Sequence, residues 1–157
     1  TESKTKETLF NWLLNDLHGK KCLDMFAGTG ALGLEAISRG ADQVVFSEKQ
    51  KGLCGAIEVV VKKLGINNKC KVINTNSTTF DFTKLSTKFD LIFLDPPFYE
   101  NLIQKSLNII SEKELLTEKG LVYIECERDL DLGSLKTDLT ELKISKGGEA
   151  KYCLYES

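Results

Sequence analysis

The feature that most limits the fold is a repeated alternation of short apolar runs with stretches of helix length. Cys22–Phe26, Gln43–Ser47, Cys70–Asn74, Asp90–Leu94 and Leu121–Cys126 have the length and composition of strands. Between them, Ala31–Arg39 (closed by Gly40), Gln50–Leu64 (closed by Gly65) and Leu102–Ile110 predict helices. An earlier helix is expected over Glu7–Leu17. There Phe10, Leu13, Leu14 and Leu17 form an apolar stripe widened by Leu9 and Trp12, and Gly19 ends it. Strands joined through helices imply right-handed crossovers and a mainly parallel, doubly wound α/β sheet. The runs at 91–94 and 121–124 are apolar throughout, as strands covered on both faces should be. The end differs. Leu139–Ile144, then Gly147-Gly148, then Ala150–Tyr155 predict a hairpin, so an antiparallel pair is expected at one edge of the sheet.

Composition narrows the chemistry. The 157 residues suit one domain, and 41% hydrophobic content supplies a core. No apolar run reaches the roughly 18 residues of a membrane span, and the first residues carry no secretory pattern. The chain starts at Thr1 rather than Met, so upstream residues are expected. Cys22, Cys54, Cys70, Cys126 and Cys153 are an odd set without a Cys-x-x-Cys pair, which points to reduced thiols in a cytoplasmic protein. Four of them lie in strand-like runs, where a thiol acts as a small hydrophobe. His18 is the only histidine. A zinc site, or a nucleophile driven by histidine, is therefore not expected, and no metal is. The formal net charge of −2 lacks the basic excess of a free-standing nucleic-acid binder. Lysines pair at Lys20-Lys21, Lys49 and Lys51, Lys62-Lys63, and Lys69 and Lys71, as on a solvated surface.

Asp24 to Gly33, "DMFAGTGALG", follows one strand and opens one helix. Glycine is needed where backbone turns sharply and approaches a ligand. Gly28, Gly30 and Gly33 have the spacing G-x-G-x-x-G, and Glu48 follows Gly28 by 20 residues. On that count a nicotinamide dinucleotide is a candidate. Asp24 argues otherwise. A pyrophosphate wants bare N–H groups at a helix N-terminus, and a carboxylate over the same turn repels it. S-adenosylmethionine has no phosphate and carries an ammonium and a sulfonium, which an acid favours. Glu48 would then accept from the ribose hydroxyls. Asn76 and Ser77, after the third strand, would meet the adenine edge, with the Asn76 oxygen accepting from its amino group. Phe26 and Lys49 flank the same pocket.

The only prolines are adjacent, in "DLIFLDPPFYE" from Asp90 to Glu100. The amino group of a nucleobase is a poor nucleophile because its lone pair is delocalised into the ring. Two acceptors held out of the base plane can draw it toward tetrahedral geometry. Asp95 offers a carboxylate and Pro96 a backbone carbonyl. Pro96 and Pro97 fix φ and bring no competing N–H. Phe98 offers a stacking face worth about 1–3 kcal/mol, with Tyr99 beside it as a further substrate contact. A base inside a helix would first be flipped out. In a doubly wound sheet the first and fourth strands meet at the switch point, where ligands bind beyond the carboxyl ends. The two motifs should therefore face one cleft.

"LDMFAGTGALGLEAISRGA" (Leu23 to Ala41), "FDLIFLDPPF" (Phe89 to Phe98), "KETLFNWL" (Lys6 to Leu13) and "AKYCLYE" (Ala150 to Glu156) together resemble the bacterial 16S ribosomal RNA guanine-N2 methyltransferases. The resemblance implies a Rossmann-like class I methyltransferase fold and methyl transfer from S-adenosylmethionine to the exocyclic amine of one guanine. It implies small-subunit rRNA or an assembling 30S particle as partner, and a cytoplasmic protein, expected to be a monomer. By motif, Asp24, Gly28, Gly30, Glu48 and Asn76 would line the cofactor pocket. Asp95, Pro96, Pro97 and Phe98 would bind and activate the guanine, with Asp95 also near the cofactor. The family pattern opens with a basic β-hairpin arm that these residues do not contain, so residues 1–157 are expected to be one methyltransferase domain without it. The acid usual after the third strand is Asn76 here. Three alternatives remain at this stage. They are an amino-methyltransferase with another base target, a non-catalytic RNA-binding or assembly module on this fold, and a nicotinamide-dependent oxidoreductase.

Overall fold

A computed structural model describes residues 14–157 together with Glu7, Phe10 and Asn11. The strand-and-helix alternation becomes β1 (Lys21–Asp24), α1 (Ala31–Ser38), β2 (Gln43–Glu48), α2 (Lys51–Lys63), β3 (Cys70–Asn74), β4 (Phe89–Leu94), α3 (Leu102–Glu112) and β5 (Leu116–Glu127). A hairpin of β6 (Thr140–Gly147) and β7 (Ala150–Glu156) follows. All seven strands form one sheet in the order β3-β2-β1-β4-β5-β7-β6. Neighbours from β3 to β5 are parallel, and β7 runs antiparallel to both β5 and β6. This is the expected α/β architecture.

The returning strand of the hairpin, not the first, docks on the parallel sheet. β7 buries five of its seven residues in "AKYCLYE", whereas "TELKISKG" of β6 is mostly exposed. Apolar content decides which strand takes the inner position and leaves β6 as the edge. Two other expectations shift. Glu7, Phe10 and Asn11 are helical, but the chain bends at Leu14-Asn15 and the helix does not run to Leu17. The Leu17 N–H instead bonds the Arg39 carbonyl at 3.0 Å, tying this segment to the end of α1. The stripe members Leu9, Trp12 and Leu13 lie outside the described residues. β5 also starts five residues before Leu121. Its register against β4 jumps between Phe89↔Leu116 and Leu91↔Leu121.

The sheet separates two apolar layers, because alternate residues of a strand face opposite ways. Leu91 and Phe93 pack with Phe10, Leu32, Ala36, Phe46 and Ile57, under α1 and α2. Ile92 and Leu94 pack with Ile103, Leu107 and Ile110 of α3. Burial on both faces explains why β4 reads as continuously apolar. From β1 the chain winds outward to β2 and β3, then returns to place β4 on the other side of β1. The pairs Leu23↔Ile92 and Asp24↔Phe93 bring the ends of β1 and β4 together. That reversal is the switch point, and both motifs emerge from it.

Candidate active site

A cavity of about 600 Å³ opens at the carboxyl ends of the parallel strands. Phe26 and Gly28 of the first motif line it, and so do Asp95, Pro96, Pro97 and Phe98 of the second. Glu48, Lys49, Asn76 and Ser77 complete the set that the sequence singled out there. The one-cleft geometry therefore holds, although the residues within it divide their roles in ways the motifs do not show.

Of the three glycines only Gly28 reaches the cavity. It sits at φ +57°, and a Cβ added to it would meet nothing within 4 Å. A side chain there would enter open space in a backbone region that favours glycine. The Gly28 N–H donates to Glu48 Oε1 at 2.9 Å, and the Gln50 N–H donates to Glu48 Oε2 at 2.8 Å. Glu48 thus pins the glycine turn to the start of α2, while each oxygen keeps a lone pair for a ligand hydroxyl. Gly30 is buried behind the turn, capping α1 against Ile57. Gly33 serves packing, since a Cβ there would lie 2.3 Å from the Phe46 ring.

Asp24 does not touch the cavity. It is fully buried at the end of β1, behind Met25, Phe26 and Gly28. Among the described residues neither of its oxygens has a hydrogen-bond partner. Burial, and then the charge of Asp95, push its carboxyl up to about 8. The N–H groups of Gly33 and Phe26 partly oppose the shift without forming hydrogen bonds, and Glu48 adds to it. An orphaned buried acid beside the cavity fits a cationic guest, whose charge would offset the desolvation.

On the β3 side, Ser77 donates to the Met25 carbonyl, so in the 2.6 Å contact between Ser47 Oγ and Ser77 Oγ it is Ser47 that donates. This chain ties the ends of β1 and β2 to the turn after β3. Asn76 is exposed, and its Oδ1 accepts from Thr78 N at 2.9 Å and Thr78 Oγ1 at 2.7 Å. The acceptor expected to meet the adenine amino group is committed to this turn, which leaves Asn76 its amide hydrogens to offer.

On the β4 side, Asp95 is half-buried, Pro96 buried, Pro97 exposed, and Phe98 rests against the core layer of α1 and α2. Tyr99 turns elsewhere. It is 74% exposed at φ +61°, its N–H bonds Glu127 Oε2 at 3.2 Å, and its hydroxyl bonds Asp129 Oδ1 at 3.1 Å. It stands over a neighbouring groove beside Pro96 and Pro97 rather than in the main cavity. Glu125, by contrast, lines the cavity at 3% exposure, and no motif marked it. One signal existed in the sequence. "LVYIE" ends an apolar strand in an acid just as "LIFLD" does.

Among the described residues, Glu48, Asp95, Glu100 and Glu125 line the cavity with Lys49 as the one balancing cation. Such a wall favours a cation and disfavours a pyrophosphate. The one cavity-facing glycine N–H, which a dinucleotide would need, already bonds a carboxylate. These two facts remove the support for the oxidoreductase alternative.

The family model described as "Conserved hypothetical protein 95" matches residues 1–156. The chain belongs to that family. Members of known name agree with the resemblance seen in the motifs. The chain is 38% identical over 161 residues to the "Ribosomal RNA small subunit methyltransferase D" of Haemophilus influenzae, covering 100% of this chain and 82% of that protein. A solved Haemophilus influenzae structure superposes with a TM-score of 0.83 at 36% identity, covering 98% of this chain and 96% of that one. The family's fold also extends to an RNA methyltransferase of Salinibacter ruber solved with S-adenosyl-L-homocysteine. That likeness has a TM-score of 0.74 at 15% identity, over 99% of this chain and 92% of the other. The class I methyltransferase fold is therefore that of this chain. No described helix is long and apolar enough to cross a membrane.

Proposed function

We propose that the chain transfers a methyl group from S-adenosylmethionine to the N2 amine of a guanine in small-subunit ribosomal RNA. The observation that carries this reading is one cavity shared by the glycine turn and the Asp95-Pro96-Pro97-Phe98 corner. When bound, the cofactor supplies an electrophilic sulfonium methyl, and the chain supplies position and charge. Phe26, Gly28, Glu48, Lys49 and Ser77 hold the nucleoside part, with Glu48 accepting from the ribose hydroxyls. Asn76 contributes its amide N–H groups. Asp24, behind the wall, can give up its proton as the cofactor's positive charge comes near, and Gly30 acts through the shape of the turn.

Asp95 accepts one hydrogen of the base amine and the Pro96 carbonyl accepts the other. Each bond draws the nitrogen lone pair out of the ring. The two prolines hold that corner stiff, and the Phe98 ring stacks on the base. Asp95 Oδ takes the proton that the amine loses as the new N–C bond forms. Tyr99, on the rim, meets RNA next to the extruded base. The substrate is an assembling small-subunit particle in the cytoplasm, and the chain acts as a monomer.

The test is transfer of labelled methyl from S-adenosylmethionine to small-subunit particles lacking the modification, followed by nucleoside analysis. Label in N2-methylguanosine is expected. Label in another methylated base would move the target within the same chemistry. A protein that binds the cofactor yet leaves RNA unlabelled would refute the enzymatic reading.

A further inference from the structure

Glu125 closes the cavity on the side opposite the glycine turn. The last pair between β4 and β5 is Leu94↔Ile124, and Asp95 and Glu125 are the residues that directly follow it. Both carboxylates line the one cavity. Tyr123, two residues earlier on β5, donates its hydroxyl to Glu125 Oε1 at 3.2 Å. Tyr123 is itself 1% exposed and held edge-on by the Phe93 ring, with centroids 5.9 Å apart. A buried hydroxyl on a packed ring fixes the direction of the Glu125 carboxylate. The Asp-Pro-Pro-Phe corner explains how an amine is activated, but adenine, cytosine and guanine all carry one. Something else must tell them apart.

We propose that Glu125 is the residue that selects guanine, by accepting the ring N1–H next to the amine that Asp95 holds. The inference rests on the methyltransferase reading above. In guanine the amine is flanked by N1–H, a donor, and two adjacent carboxylates match two adjacent donors. In adenine and cytosine the ring nitrogen beside the amine carries a lone pair. A fixed carboxylate there meets a lone pair instead of a proton, and a buried acceptor left unpaired is disfavoured. Tyr123 is the positioning residue, since it keeps Glu125 aimed at the base edge.

The experiment uses small-subunit RNA assembled into particles, with the position that the wild-type protein methylates carrying either guanine or 2,6-diaminopurine. The analogue keeps the N2 amine and replaces N1–H by a lone pair. The wild-type protein is expected to methylate guanine roughly 10- to 100-fold faster than the analogue. Glu125→Gln should lower the guanine rate by a similar factor and narrow the guanine-to-analogue ratio toward one. Its affinity for S-adenosylmethionine in calorimetry should fall far less than the guanine rate does. Tyr123→Phe should narrow the ratio in the same direction, by less. Wild-type discrimination retained in a folded Glu125→Gln protein would overturn the proposal. So would a parallel loss of cofactor affinity, which would place Glu125 on the cofactor. If the wild-type protein binds cofactor and labels no base at all, the methyltransferase reading itself fails, and this inference falls with it.

Discussion

On the β1–β2 side of the cavity, Glu48 commits both oxygens to backbone N–H groups, and Ser47 donates to Ser77, which donates to the Met25 carbonyl. On the β4 side, Pro97 and Tyr99 stand exposed, and Tyr99 and Asn101 sit at φ +61° and +59°, in the left-handed region that ordinary residues avoid. On the proposed reading the first wall is the one preorganised for the cofactor. The second is stiffened by prolines at its base and open at its rim, as suits part of a macromolecule that must enter and leave.

The comparison breaks most sharply at Asp95. Replacement by Ala should lower turnover by about 10²- to 10⁴-fold, while calorimetry finds S-adenosylmethionine affinity nearly unchanged. Loss of both together would show that the walls are not separable. Gly28→Val attacks the other wall. It forces a branched side chain into a left-handed position worth about 1–3 kcal/mol of strain and fills open cavity. Cofactor affinity should fall by about 100-fold or more, and an unchanged titration would exclude Gly28 from the binding surface. Phe98→Ala should raise the KM for particles by about 5- to 150-fold, the value of one stacked base, with cofactor affinity preserved. Equal losses of both would argue against stacking.

The remaining prediction concerns stability, through Asp24 and pH. In the unfolded chain this carboxyl ionises near 3.8, and in the folded protein near 8. The folded protein therefore holds an extra proton between those values. Its contribution to stability is intact below about 3.8, declines as pH rises through that window, and is gone above about 8. Asp24→Asn should remove this slope. Denaturant unfolding at about pH 5 and about pH 8.5 should show the variant gaining on the wild type at the higher pH. A constant difference would mean that Asp24 is already ionised in the cofactor-free protein.

Much of the fold was legible because its signals are local. The glycine turn, the helix ends and the double proline act through φ, ψ and nearest neighbours, and the apolar runs of β4 and β5 announce burial on both faces. The partners of the site residues were not legible in the same way. Asn76 reads as an acceptor until Thr78 occupies its oxygen, and Tyr99 reads as part of the cavity until Asp129 holds its hydroxyl.

The amino-acid order by itself determined the succession of strands and helices, the bend at Gly28 and the rigid corner at Pro96-Pro97, because each is decided by residues close in the chain. Only the tertiary structure decided that β7 enters between β5 and β6, that Asp24 lies outside the cavity lining, and that Glu125 joins Asp95 in one cavity. Those outcomes depend on pairing registers between segments tens of residues apart. A shift of one residue in such a register sends a side chain to the opposite face.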